Sequence, residues 1–206
     1  TSAMRAEDLL YFLGGRTRPT DGWTYQVNNY TGEHNDEVLS QYITDNVINA
    51  DIISMSMGNA SFGAYLLDRL TSAFGVMGGT LSPDMIVKFE QALVGFNDEQ
   101  KIYATAFYNE LKQSIINQIP ADIVKNYNIS DIIEIIVYTT VGYLNNYTRV
   151  INRIVELNPD VEIMIVGLMN SMYGINLTYQ DESFPIGDIM QMIFDTLNLQ
   201  IAAYTS

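Results

Sequence analysis

Two short, nearly continuous apolar runs constrain the fold of this chain more than any other feature of its sequence. Ile52–Met57 meets Gly58-Asn59, and Val161–Leu168 closes on Gly167 and Asn170. Each follows a segment of helical periodicity, and each is too short to be read as a buried helix. Runs of this kind fit strands buried on both faces, as in a parallel sheet sandwiched between helices. Parallel strands need helical crossovers, so the pair predicts an α/β domain.

The rest of the chain supplies the helices. Arg5–Leu13 places Leu9, Leu10 and Leu13 on one face, with Gly14-Gly15 as a stop. Trp23–Tyr30 alternates as a strand does, and Asp36–Val47 has helical spacing at Val38, Leu39, Tyr42, Ile43 and Val47. Phe62–Phe74 reads as a helix, ended by the Gly75–Gly79 break. From Ser82-Pro83-Asp84 to Leu157 the pattern is mostly helical, broken at Ile119-Pro120 and at Asn126-Tyr127-Asn128, with Ser130 as the cap of the last long helix. Residues 82–130 exceed an ordinary crossover and read as a helical insertion. A polar loop runs from Asn170 to Pro185, and a helix follows from Ile186 to about Ala203. The expected architecture is a single domain over residues 1–206, a three-layer, flavodoxin-like parallel sheet flanked by helices.

Charge and composition exclude several functions. The chain has 206 residues, with 24 acidic against 10 basic side chains and a formal net charge of -14. No Lys/Arg cluster is present to displace counterions from phosphate, which argues against nucleic acid and against an anionic membrane surface. The longest apolar run, Ile132–Val141, contains Glu134 and two threonines and is too short to span a bilayer. The chain has no cysteine and one histidine, His34, which excludes thiolate chemistry and a His-rich zinc site. No metal and no cofactor is expected.

In doubly wound sheets, ligands sit beyond the carboxyl ends of the strands. The residues to watch are therefore Thr31-Gly32-Glu33-His34, Gly58-Asn59-Ala60-Ser61 and Asn170-Ser171. Small residues and exposed backbone N–H groups at such a rim are what an oxyanion needs, although the same composition makes ordinary turns.

These blocks carry a family resemblance. Ala50-Asp51-Ile52-Ile53-Ser54-Met55-Ser56-Met57-Gly58-Asn59 resembles the third conserved block of the SGNH (GDSL) hydrolases, a strand followed by G-x-N-D. Asn158-Pro159-Asp160-Val161-Glu162-Ile163-Met164-Ile165-Val166-Gly167 is similar to the family's later helix-to-strand passage. Tyr30-Thr31-Gly32 resembles the second block, and Thr1-Ser2-Ala3-Met4 resembles the residues immediately after the G-D-S of the first block.

The resemblance implies a secreted, bacterial serine esterase, lipase or acylhydrolase acting on acyl esters, among which carbohydrate esters are included. It implies Gly32 and Asn59 as oxyanion-hole donors, with Ser61 and Asn170 contacting substrate. If Gly58 is the block's glycine, the family's Asn position falls on Ala60 and its Asp position on Ser61, so Asn59 stands one place early. The nucleophilic Ser is expected before Thr1 and the base His after Ser206, on other segments of the same precursor docked into the sheet. A catalytically silent module of the same fold, binding glycan or a partner protein, is the rival expectation. A nucleotide binder ranks last, because no G-x-G-x-x-G or Walker pattern occurs.

Several residues have plainer readings. His34 is read as a solvated loop histidine rather than a base, and Ser2 as the start of the first helix. Tyr103, Phe107 and Leu111 share a helical stripe that is read as packing rather than an acyl pocket. Met55, Met57 and Met164 are read as core.

Overall fold

The computed structural model describes residues 6–17, 36–56, 96–119, 129–170, 172–179 and 182–205. The protein is a mixed α/β chain, mostly helical, with a small parallel pair of strands. In chain order the elements are α1 (Ala6–Phe12), α2 (Asp36–Ile48), β1 (Ile52–Met55), α3 (Asp98–Gln118), α4 (Ile129–Leu157), β2 (Glu162–Ile165), β3 (Leu177–Tyr179), β4 (Glu182–Phe184) and α5 (Ile186–Thr205). They fall into two compact units: residues 1–62 with 145–168, and residues 63–144 with 169–206. The strand expected at Trp23–Tyr30 and the helix expected at Phe62–Phe74 lie outside the described residues.

In the first unit, β1 and β2 pair in parallel, with Ile52 opposite Glu162 and Met55 opposite Ile165. The ladder extends one step at each end, through Glu162 N–H to Asp51 O and Val166 N–H to Met55 O. The parallel order is the one the apolar runs predict, but the burial is not. Met55 is buried and Ile53, Ile163 and Ile165 are half-buried, whereas Ile52, Ser54, Glu162, Met164 and Val166 are exposed. One sheet face is covered and the other is open, so Met164 is not core as its apolar run implied. A continuous apolar run says that both faces avoid water in some context; it does not say what covers them.

Three side chains fasten this sheet to the helices around it. The Asn158 amide donates to Val47 O at 2.9 Å and to Ala50 O at 2.8 Å, tying the turn before β2 to the turn before β1. Helix α1 ends where Gly14 takes a left-handed φ of 73°, as the Gly14-Gly15 stop predicts. Its last turn contains no basic residue. The positive charge its carbonyl end attracts comes instead from α4, where Arg153 Nε donates to Leu13 O at 2.8 Å and Arg149 to Gly15 O at 3.1 Å. Burial, and then the charge of Arg16, hold the Arg149 guanidinium below the ordinary arginine range. Phe12 and Leu39 form a small core between α1 and α2, with Leu9, Tyr11 and Ile43 against it. Val38 and Tyr42, which share the expected apolar face of α2, are exposed.

The second unit is built on α3 and α5. Asn97 opens α3 with a capping box: its side chain accepts from Gln100 N–H at 2.9 Å, and Gln100 Oε1 accepts from Asn97 N–H at 3.0 Å. Ala104, Phe107, Leu111 and Ile115 recur at helical spacing and are buried. Phe107 and Leu111 are therefore packing residues, but Tyr103 is 56% exposed and donates its hydroxyl to Gln200 on α5. Within the expected insertion the described residues include α3, which stops at Ile119 as Ile119-Pro120 predicts. Helix α4 begins by Ile129, so Ser130 lies inside it and is not its cap. On α5, Ile186, Ile189, Met190, Ile193, Phe194, Leu197 and Ile201 are buried. The short antiparallel pair β3–β4, with Leu177 opposite Phe184, lies where a plain polar loop was expected.

This packing has two measurable consequences. Replacing Asn158 by Ala removes two hydrogen bonds, to Val47 O and Ala50 O, and should cost about 2 kcal/mol in urea unfolding. Asp160→Ala, at an exposed neighbour, should change stability by no more than about 0.5 kcal/mol. Tyr147 is buried on α4, and desolvation pushes its hydroxyl up to about 12. Because the unfolded chain ionises first, its contribution to stability is intact below pH 10 and is lost as pH rises from about 10 to 12. In ultraviolet titration of tyrosinate, Tyr147→Phe should remove an ionisation that lies near pH 12.

Candidate functional site

Of the residues that the sequence singles out for chemistry, Asn170 lies among those described. Gly32, Asn59 and Ser61 lie outside the described residues, as do His34 and Ser2. The expected gathering of Gly32, Asn59 and Asn170 at one sheet edge is therefore represented by Asn170 alone.

Asn170 comes after β2 and anchors a turn. Its Oδ1 accepts from Met172 N–H at 2.9 Å, an Asx turn. Its Nδ2 donates to Gly187 O at 2.9 Å and to Gln191 Oε1 at 3.1 Å, both on α5. An amide has two N–H donors and an oxygen with two lone pairs, so both donors are committed here. Any contact to a ligand has to use the remaining lone pair of Oδ1 or the backbone of the turn.

The turn is held tightly against α5. Gly187 N–H donates to Ile175 O at 2.9 Å, and Ile175 N–H to Met172 O at 3.0 Å. A Cβ built on Gly187 falls 2.4 Å from Met172 O, 2.8 Å from Ile175 N and 2.9 Å from Gly174 N, all backbone atoms. Gly174 takes a left-handed φ of 74° within the same turn. The only residue that fits at 187 without moving the turn is glycine, a signal that the position of Gly187 just inside a helix does not give.

The first unit contains a separate cleft that the sequence did not mark. It encloses about 500 Å³ between α1 and α2 and is lined by Tyr11, Asp36, Glu37, Ser40, Gln41 and Thr44. Tyr11 donates its hydroxyl to Asp36 Oδ2 at 3.1 Å, Ser40 donates to Phe12 O, and Gln41 donates to Asp45 at 2.7 Å. Asp36 and Glu37 stand in the first turn of α2, where carboxylates complement the positive helix end. The cleft is open, polar and acidic. In sequence it comes directly after the Thr31–His34 segment that the resemblance assigns to the oxyanion rim.

Among the described residues no group of three His, Asp or Glu side chains is arranged to hold a metal ion, and no helix is long and apolar enough to cross a membrane. Comparison of the chain with protein-family models, curated proteins and solved structures returns no match.

The geometry of the turn yields a direct expectation. Gly187→Ala should destabilise the protein by about 1–3 kcal/mol through overpacking against backbone. Asn170→Ala should cost about 1–2 kcal/mol through its lost hydrogen bonds. Because both changes release the same turn, the double variant should lose clearly less than the sum, which a double-mutant cycle by thermal unfolding measures.

Proposed function

We propose that this chain is the scaffold of an SGNH-type serine ester hydrolase acting on acyl esters, with carbohydrate esters as one substrate class, in a secreted bacterial protein. The observation that carries the reading is the parallel pairing of β1 and β2. Parallel neighbours share one carboxyl edge, so the chain leaves β1 and β2 on the same side of the sheet. In a doubly wound sheet that side is the ligand side, and the amino ends of the helices lie there too. The polar cleft at the start of α2 fits such a position. The three-layer, flavodoxin-like form of the sheet belongs to this proposal.

In this reading the nucleophilic Ser and the base His come from sequence flanking residues 1–206. The Ser attacks the ester carbonyl while His takes its proton, and the oxyanion is held by the Ser N–H, the Gly32 N–H and the Asn59 side chain. Removing one such side-chain donor typically costs about 2.7–4 kcal/mol of transition-state stabilisation. Asn170, with both amide donors engaged on α5, positions the turn after β2 and offers substrate its backbone or Oδ1. That engagement favours the second reading, a silent module of the same fold that binds glycan or a partner protein.

The test uses the encoded protein with its flanks. Short-chain p-nitrophenyl esters should be hydrolysed slowly, and a serine-directed phosphonate should label one Ser outside residues 1–206. Asn59→Ala should lower kcat by about 100-fold or more with a smaller effect on KM. Labelling with unchanged kcat in Asn59→Ala removes Asn59 from the mechanism. Absence of both labelling and turnover leaves the binding module as the function.

A further inference from the structure

One face of the β1–β2 sheet carries exposed apolar side chains. Parallel sheets are normally covered on both faces, because their strands are apolar on both. Here Ile52 is 62% exposed, Met164 56% and Val166 43%, all projecting from the face opposite buried Met55. The register sets Ser54 beside Met164, so a small residue lies between the apolar ones. Asp51, Asp160 and Glu162, all exposed, stand at the amino ends of the two strands and rim this surface.

Charge decides what fits there. The unit's described residues include the arginines Arg16, Arg149 and Arg153, and the last two are bound to the carbonyl end of α1. The rim is therefore acidic, in a chain of formal net charge -14. A second copy would bring the same three carboxylates against these, and an anionic lipid surface would be repelled in the same way. An amphipathic helix of another protein, with an apolar stripe flanked by Lys and Arg, satisfies both parts. Helices are what parallel sheets accept on their faces, and the flanking cations meet Asp51, Asp160 and Glu162.

We propose that the open face of β1–β2, centred on Ile52, Met164 and Val166, docks a basic amphipathic helix from a partner protein. The inference does not need the hydrolase reading, and a three-layer sheet with the chain's own helix on this face would exclude it. It is tested on the 206-residue chain with a labelled helical peptide of Leu and Lys whose leucines form one stripe. The control is a peptide of the same composition with its leucines spread around the helix. Fluorescence anisotropy should show the striped peptide binding at least about tenfold tighter than the control. The Met164→Ser, Val166→Ser double variant, unchanged in charge, should lose at least about tenfold in affinity while retaining its circular dichroism.

Equal binding of both peptides, or an unchanged affinity in the double variant, means attraction by net charge alone and overturns the proposal. Failure of the striped peptide to bind means that the face is closed by the chain's own residues, with the same consequence. A dimer detected by light scattering that dissociates in the double variant assigns the face to a second copy instead.

Discussion

The first unit depends on closing a very long loop. Ile52 and Glu162, opposite each other in the sheet, are separated in sequence by α3 and all of α4, and a parallel pair cannot be made by a hairpin. Loop closure costs entropy that grows only slowly with length, but the cost falls before any pairing is gained. The contacts that offset it come from one short stretch, the end of α4 and the turn after it. Arg149 and Arg153 reach the end of α1, and Asn158 reaches Val47 O at the end of α2 and Ala50 O just before β1. Their spacing of four residues puts the two arginines on one face of α4, so one helix orientation satisfies both.

Much of the described fold was legible in sequence because its signals are local. The stop at Gly14, the end of α3 at Ile119-Pro120 and the end of α4 before Pro159 follow from single residues whose backbone preferences are strong, whereas the capping box that opens α3 was not read. The parallel order of β1 and β2 was legible from apolar runs bounded by helices. Burial was not, since Ile52 and Met164 are apolar in either a covered or an open sheet. The pair β3–β4 escaped because three-residue strands without a Gly in the turn carry no periodicity to read. For the candidate site, Asn170 stood out as a polar residue after a strand. Its role as an anchor depends on Gly187 and Gln191, which lie a helix turn apart and give no sign in sequence of meeting it. The cleft at Asp36 was missed for a related reason: carboxylates in a first helical turn already have an explanation in the helix dipole.

The scarcity of cations shapes the molecule more than the excess of acids does. No described helix for which the last turn is known carries a basic residue there, which is where a positive charge would meet the carbonyl end. Helix α1 borrows its positive charges from α4. Helix α2 uses neutral amides: Asn46 donates to Tyr42 O, Asn49 to Asp45 O, and Asn158 to Val47 O. The two solutions differ physically. A guanidinium bound to carbonyls gains from the helix dipole and is weakened by salt, whereas an amide gains only its hydrogen bonds and is nearly indifferent to ionic strength. The α2 end, on which the register of β1 depends, is thus held by contacts that salt does not loosen. Among the described residues no Arg or Lys pairs with Asp51, Asp160 or Glu162, and asparagines rather than cations close the end of α2.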